Sequence, residues 1–244
     1  MTKADSPDRA DGWTAAVRQR LGLGRLLPLG GAADGSWIAE RAAAEALRDA
    51  AVGSGAVLGT LRIAPAYADG APDPVVPGPP SALPPGPLRI EAGFSATARR
   101  PLPATADALR SALLTAAAER LGLVVDEVDL RVTALLDEEP GRVGRSPAEV
   151  REARPDGVAG TTAAAVPGVV SLTRVLGNAV QSGAGHVRVE LATAGDHRAL
   201  DVAQAVRKAV TGAVDGGPTV AVLVTAVVDQ VSTAVVDRAG PAPV

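Results

Sequence analysis

The sequence of 244 residues contains no cysteine and only two tryptophans, one tyrosine and one phenylalanine. Without cysteine, disulfides, zinc–thiolate sites and thiol catalysis are excluded. With so few aromatic rings, the chain has no platform on which nucleic-acid bases or sugars could stack. We therefore expect a core built from valine, leucine and alanine, and no binding of single-stranded nucleic acid.

The chain also has little net charge, since its formal net charge is only −3, and it contains no basic run. Binding to duplex nucleic acid requires a basic surface that tracks the phosphates. A nucleic-acid partner is therefore not expected. No apolar run is long enough for a membrane-spanning helix, since the longest candidate, Val214–Val228, is interrupted by Asp215 and Pro218. The polar residues 1–12 do not resemble a secretory signal, so we expect a cytoplasmic protein.

Residue patterns that carry catalysis or metal binding are missing as well. Only two histidines occur, His186 and His197, and both are expected at the surface. Neither lysine follows a glycine-rich loop, and the Gly-x-Ser-x-Gly turn of hydrolases is absent. Acidic residues cluster at 126–129 and 137–139, where strand ends and a linker favour solvation over acid–base chemistry. The sequence predicts a protein that is not an enzyme, without catalytic residues, cofactor or metal.

Part of the second half of the chain repeats part of the first half in the same order. The tetrapeptide Leu-Arg-Ile-Glu at 88–91 returns as Val-Arg-Val-Glu at 187–190, and Val-Thr-Ala-Leu-Leu-Asp at 132–137 returns as Val-Thr-Ala-Val-Val-Asp at 224–229. Between them, the helical pattern at 108–113 matches that at 205–210. This self-similarity predicts a strand–helix–strand unit that occurs twice.

The repeat sets the predicted domain plan. We expect an α+β fold of two similar small two-layer domains, each a mixed sheet with helices packed on one face. The predicted divisions are a leader and docking segment at 1–34, a first domain at 35–137, a linker at 138–157, a second domain at 158–230 and a tail at 231–244. The proline-rich stretch 65–87 is predicted to be an exposed loop inserted in the first domain.

Hydrophobic periodicity places the elements of each domain. In the first, we expect a helix over 36–52 capped by Ser36, strands at 57–64, 88–96 and 127–136, and a helix capped by Thr105 and stopped by Gly122. The strand at 127–136 should turn Val128, Leu130, Val132, Ala134 and Leu136 inward. In the second, we expect a helix over 158–166, strands at 169–176, 187–191 and 219–228, and a helix capped by Asp196.

A predicted interaction surface comprises five apolar residues in two places. Trp13, Val17 and Leu21 follow helical spacing ahead of the apolar, glycine-rich stretch 22–30. That segment would pack onto a neighbouring sheet, or else dock on a partner or on a membrane surface. Leu223 and Val227 lie in the last strand and are predicted to point away from the core formed by Val220, Val222, Val224 and Val228. A strand apolar on both faces is usually covered on both, so the N-terminal segment, the first domain or another subunit should cover them.

Two polar pairs recur in both copies, Arg89 with Glu91 and Arg188 with Glu190. They would form either ion pairs on an exposed face, which contribute little stability, or a recognition surface.

Two stretches carry a family resemblance. The segment Glu119-Arg120-Leu121-Gly122-Leu123-Val124, with the alternating strand after it, resembles the end of a domain of the alkaline shock protein family. The segment Ala163-Ala164-Ala165-Val166-Pro167-Gly168-Val169 is similar to that family's early step from helix to strand. Together the resemblance covers 36–136 and 158–229, as a tandem divergent pair. The chain is also similar to actinobacterial proteins labelled nucleopolyhedrovirus P-ten family.

The alkaline shock resemblance implies small α+β domains without an active site. It also implies association with copies of the same protein or with homologous ones, and attachment to the inner face of the membrane through a small anchor protein during envelope stress. We therefore expect a non-catalytic assembly or scaffold protein of this type. The alternative is a small-ligand-binding or regulatory protein that uses a cleft between the two domains.

Overall fold

The chain forms two mixed β-sheets with four α-helices, in a computed structural model that describes residues 22–67, 70–138 and 150–229. This confirms the mixed class of fold predicted from the sequence. The helices are α1 (Glu40–Ala50), α2 (Leu102–Thr115), α3 (Gly157–Ala164) and α4 (Ala199–Ala213). Helix α2 continues into a π-helical turn, Ala116–Leu121.

The larger sheet has seven strands, with bounds β1 (Leu26–Pro28), β2 (Ser36–Ala39), β6 (Glu152–Ala153), β7 (Val169–Thr173), β8 (Val180–Gly183), β9 (His186–Ala194) and β10 (Thr219–Val228). Their order is β1-β2-β10-β9-β7-β6, with β8 also beside β9. Strand β10 runs parallel to both β2 and β9, and the other pairs are antiparallel. The smaller sheet has the order β3 (Ala56–Pro65), β4 (Leu88–Thr97), β5 (Val125–Leu136), with β4 parallel to β5.

A strand–helix–strand order occurs in each half of the chain. Parallel strands β4 and β5 are joined through α2, and parallel strands β9 and β10 are joined through α4, as a parallel connection requires. Alternating residues of β4 and the apolar stripe of α2 are buried together. In the other half, Val206 and Val210 of α4 and Val220, Val222 and Val224 of β10 are all buried, as expected. Val228, also expected in this core, lies beyond a register shift in β10 and is only half-buried.

The predicted helix over 36–52 is wrong at its start. Ser36–Ala39 is strand β2, and the Ser36 hydroxyl donates to the carbonyl of Asp34 instead of capping a helix. Residues 36–39 read as helical because every one of them is buried, which removes the alternation that marks a strand. Strand β2 lies inside the predicted first domain but pairs with β10 of the predicted second domain, so the sheets do not divide at residue 34.

Both other predicted caps are also wrong, whereas the predicted stop is confirmed. Helix α2 begins before Thr105, with Pro101 at its N-cap, and α4 begins after Arg198 and not at Asp196. Proline near the first turn already supplies a suitable backbone angle, so a hydroxyl cap is not needed there. Gly122 ends the π-helical turn with φ of +90°, in the left-handed region that favours glycine.

A bulge in β5 changes which side chains face inward. Val132 pairs with the buried Phe94, but the register then shifts, so that Ala134 lies opposite Ser95 and Leu135 opposite Ala96. Leu135 therefore faces inward, and the predicted inward orientation of Ala134 and Leu136 is wrong. The extra residue is Thr133, whose hydroxyl donates to the Phe94 carbonyl.

The described residues of the proline-rich loop after β3, 66–67 and 70–87, contain no helix or strand apart from an isolated β-bridge between Leu26 and Ala82, but the loop is not simply exposed as predicted. Val76, Pro79 and Pro85 are buried, and the Leu83 amide donates to the carbonyl of Leu26 at 2.8 Å. The Leu83 carbonyl accepts from the Trp37 indole at 3.4 Å. The loop therefore covers the outer edge of β1. The predicted linker 138–157 also contributes structure, since β6 lies within it; residues 139–149 lie outside the described residues.

The part of the chain built on the smaller sheet contacts the part built on the larger sheet through polar as well as apolar groups. The Gly30 amide donates to the Gly122 carbonyl at 3.0 Å, and Arg198 Nε donates to the Ala118 carbonyl at 2.8 Å. Arg120 pairs with Asp229 at the end of β10. These links join the C-terminal end of the α2 segment to the residues after β1, to the start of α4 and to the end of β10.

The variant Gly122→Ala tests this junction. We expect it to lower the free energy of unfolding by about 2–4 kcal/mol, because alanine is strained in the left-handed region and its added Cβ would overpack the core. An added Cβ at Gly122 would lie 2.4 Å from Leu200 Cβ. Gly216→Ala is the matched control, because Gly216 has φ of +82° and no atom within 4 Å of an added Cβ. Urea denaturation followed by far-UV circular dichroism compares the two variants. Equal losses would show that Gly122 is not packed against Leu200.

Candidate interaction surface and cleft

The outer edge of β5 is the first candidate site. Among the described residues, no strand pairs with this edge, although β5 is 12 residues long. A long edge strand presents a row of backbone N–H and C=O groups that can pair with another chain. We call this strand edge, with its inward row Val128, Leu130 and Val132, the β5 edge.

The inward row of β5 is only partly covered. Val128 and Leu130 are half-buried, and Val132 is 41% exposed. Beyond the bulge, Leu135 is 62% exposed. Charged side chains on an edge strand oppose association, but the stretch 132–136 contains none. The apolar surface that β5 presents at its edge therefore continues past the charged part of the strand.

The outward row of β5 carries both signs of charge. The guanidinium of Arg89, on the neighbouring strand β4, lies between these side chains. Its nitrogens are 3.2 Å from a carboxylate oxygen of Glu91, 3.4 Å from one of Glu127 and 3.8 Å from one of Asp129. All these side chains are at least one-third exposed, so the pairs contribute little stability. Next along β5, Arg131 has no ion-pair partner among the described residues. The outward row thus places an acidic and a basic residue two positions apart at the β5 edge.

Two residues of the predicted interaction surface, Leu223 and Val227, lie in β10 and not at the β5 edge. Leu223 is 0% exposed and lies opposite Trp37 of β2 and Glu190 of β9, so it is not available to another subunit. Val227 is half-buried. Of the three covers considered for β10, the predicted first domain supplies β2 beside the strand and α1 against it. Leu27 and Leu29 of the apolar stretch 22–30 are also fully buried. Trp13, Val17 and Leu21 lie outside the described residues.

The second candidate site is a cleft of about 780 Å³ in the second half of the chain. It lies among β6, the start of α3, the loop between β7 and β8, and the end of α4. Its apolar lining includes Val158, Val180, Val187 and Val214. The alternative hypothesis from the sequence was a ligand-binding cleft between the two domains. Every residue that lines the observed cleft belongs to the second half of the chain.

Four charged residues line the cleft, Glu152, Arg154, Asp156 and Arg174. None of them forms a hydrogen bond or ion pair through its side chain with another residue of the described ranges. Asp156 is at the N-cap of α3, yet its carboxylate does not cap the helix. The cleft therefore presents two cationic and two anionic groups that are available to a ligand.

A buried ion pair holds the wall of this cleft. Glu190 is 0% exposed, and its Oε2 accepts from the amides of Val175 and Leu176 at 2.9 and 3.0 Å. Its Oε1 accepts from Arg188 at 3.3 Å. Burial raises the pKa of Glu190, against the opposing effect of these hydrogen bonds and of the Arg188 charge. Glu190 thus fixes the loop that carries Arg174.

The two recurring polar pairs therefore have different environments. Arg89 and Glu91 form an ion pair on an exposed face, one of the two readings considered above. Arg188 and Glu190 also form an ion pair, but it is not on an exposed face, because the loop after β7 covers it and leaves the Arg188 side chain only 12% exposed.

The two histidines are not grouped. His186 starts β9, where burial and then the charge of Arg188 lower its pKa, and His197 is exposed beside Asp196.

In the described part of the chain, no three histidine, aspartate or glutamate residues are placed to hold a metal ion. Within the same ranges, no helix is long and apolar enough to cross a membrane.

Sequence reasoning missed both candidate sites. The cleft is assembled from segments far apart in the sequence, around a strand, β8, that its polar and glycine-containing sequence does not suggest. The β5 edge had a visible signal, the uncharged stretch 132–136, but which strand lies at an edge depends on the topology. Comparison with known protein families, with characterised proteins and with solved structures finds no match for this chain.

Proposed function

We propose that this chain is a non-catalytic assembly protein of the alkaline shock type, whose copies associate through the β5 edge. The observation that carries the proposal is the unpaired, partly uncovered apolar row of β5. Homologous proteins of the same type and a small membrane anchor protein are the further partners that the resemblance implies. The chain would then act as a scaffold at the inner face of the membrane.

The order of elements supports the family resemblance and the two-domain plan. The first half runs α1, β3, β4, α2, β5, and the second runs α3, β7, β9, α4, β10, with β8 as an addition. In this correspondence β5 and β10 are equivalent strands. The edge of β10 opposite β9 is occupied by β2. The edge of β5 opposite β4 has no such partner among the described residues, so it is the position where an added strand would fit.

A second copy complements this edge in both charge and shape. If two β5 strands pair antiparallel around a two-fold axis at Leu130, Asp129 of each copy lies opposite Arg131 of the other. The same register places Val128 opposite Val132 on the inward face. Residues directly opposite each other in an antiparallel pair interact, and a two-fold interface repeats each contact. The predicted product is a continuous six-stranded sheet.

Analytical ultracentrifugation of the full chain tests the proposal. We expect the wild type to be dimeric at about 100 μM. Arg131→Asp should raise the dissociation constant at least about tenfold, because it places an aspartate opposite Asp129 of the other copy at two symmetric positions. The double variant Asp129→Arg/Arg131→Asp should restore association, because the pairs are re-formed with their signs exchanged. Arg62→Asp on β3 makes the same charge change away from the β5 edge and should leave the dimer intact.

Circular dichroism of each variant verifies that the fold is retained. A wild type that stays monomeric at this concentration would reject the proposal. So would Arg131→Asp with an unchanged dissociation constant, because association would then use another surface, such as the segment containing Trp13.

A further inference from the structure

We propose that the cleft in the second half binds a short apolar peptide that carries both of its terminal charges. This inference does not depend on association through the β5 edge. It rests on the coincidence, in one cavity, of an apolar lining with unpaired groups of both signs.

The size and lining of the cleft suit a ligand larger than an ion. Its volume of about 780 Å³ is within the range of small-molecule sites. Val158, Val180, Val187 and Val214 provide apolar surface, against which aliphatic side chains gain free energy by leaving water. An inorganic anion or cation would leave this surface unused.

The charges of the cleft select a zwitterion over a singly charged ligand. Arg154 and Arg174 come from separate segments, before α3 and after β7, and guanidinium groups bind carboxylates through charge-assisted hydrogen bonds. Glu152 and Asp156 would repel a simple anion but would attract an ammonium group. A ligand with one carboxylate and one ammonium satisfies both sets.

The wall that carries Arg174 is held in place before any ligand binds. Glu190 accepts the amides of Val175 and Leu176, directly after Arg174 in sequence. The Arg174 amide itself donates to the carbonyl of Arg151 at 3.2 Å, which ties the loop to the segment that carries Glu152 and Arg154. A wall fixed in this way lowers the entropy cost of binding.

Three peptides with the same apolar body test the inference by isothermal titration calorimetry on the full chain. Leucyl-leucine has both charges, N-acetyl-leucyl-leucine only the negative one, and leucyl-leucinamide only the positive one. We expect saturable binding of leucyl-leucine, and at least about tenfold weaker binding of each singly charged peptide.

Variants of the four exposed charged residues assign the two ends of the peptide. Arg154→Gln and Arg174→Gln should weaken leucyl-leucine binding at least about tenfold without affecting leucyl-leucinamide, whereas Glu152→Gln and Asp156→Asn should spare N-acetyl-leucyl-leucine. Arg151→Gln is the matched control, because Arg151 is exposed but does not line the cleft. Absence of saturable leucyl-leucine binding at about 10 mM would overturn the inference. Equal binding of a singly charged peptide, or binding unchanged in both arginine variants, would overturn it as well.

Discussion

Leu223→Asp is expected to lower the free energy of unfolding by at least about 4 kcal/mol, because it buries a charge in the larger sheet. Leu223 is fully buried, and its neighbours across the sheet are Trp37 and Glu190. An aspartate there would be removed from water beside a second buried carboxylate, that of Glu190, with which Arg188 is already paired. Urea denaturation followed by far-UV circular dichroism measures the loss.

Leu223→Met is the matched control for this prediction, since a volume-conserving change in a core costs less than about 1.5 kcal/mol. A Leu223→Asp variant with the denaturation midpoint of the wild type would mean that this face of β10 is open to solvent. Dissociation of a dimer without loss of stability would instead return Leu223 to the interaction surface expected from the sequence.

Glu190→Leu is expected to lower the free energy of unfolding by about 3–5 kcal/mol, the usual cost of removing one partner of a buried ion pair. The variant leaves Arg188 buried without its carboxylate and removes the acceptor of two backbone amides. The repeat supplies a matched control, Glu91→Leu, at the equivalent position. Because Arg89 and Glu91 are exposed, that change should cost less than about 1 kcal/mol. Equal losses at the two positions would contradict the burial of Glu190.

The pH dependence of stability gives a second measurement at this position. Burial raises the pKa of Glu190 in the folded chain above its ordinary value of 4.5. Below pH 4.5 the Glu190 carboxyl is protonated in both the folded and the unfolded chain. As the pH rises, this carboxyl loses its proton in the unfolded chain first, so the free energy of unfolding falls until the folded chain loses the proton as well. Relative to Glu190→Gln, the wild type should therefore lose stability as the pH rises above the ordinary pKa of 4.5, as urea midpoints would show. A relative gain over this range would mean that the hydrogen bonds to Glu190 outweigh its burial.

Periodicity was sufficient to predict most strands and helices. Strands β3, β4, β9 and β10 lie close to their predicted bounds, because one face of each pattern repeats every second residue. Helices α2 and α4 were found from apolar residues at helical spacing. Strands β1 and β2 were missed because all their residues are buried, so that neither face is marked by polar side chains. The bulge at Thr133 was missed because a single extra residue leaves no compositional signal.

The burial of a polar pair could not be predicted from its own sequence. Arg-x-Glu occurs at 89–91 and at 188–190 with nearly identical neighbours, yet one pair is exposed and the other is covered by the loop after β7. The two-faced apolar pattern of β10 correctly indicated cover on both faces. It did not indicate which part of the molecule supplies that cover, because α1, which contacts β10 in addition to α4, is far from β10 in the sequence and only the topology brings them together.

The position of β2 also affects the order in which the chain can fold. Strands β3, β4 and β5 are complete once residue 136 has been synthesised, and they form a sheet by themselves. Strand β2, by contrast, pairs with β10, and residues 40–218 separate the two. Pairing over such a distance is slow because the loop must close before any contact forms. On the ribosome, β2 is therefore expected to wait without its parallel neighbour until nearly all of the described chain has emerged.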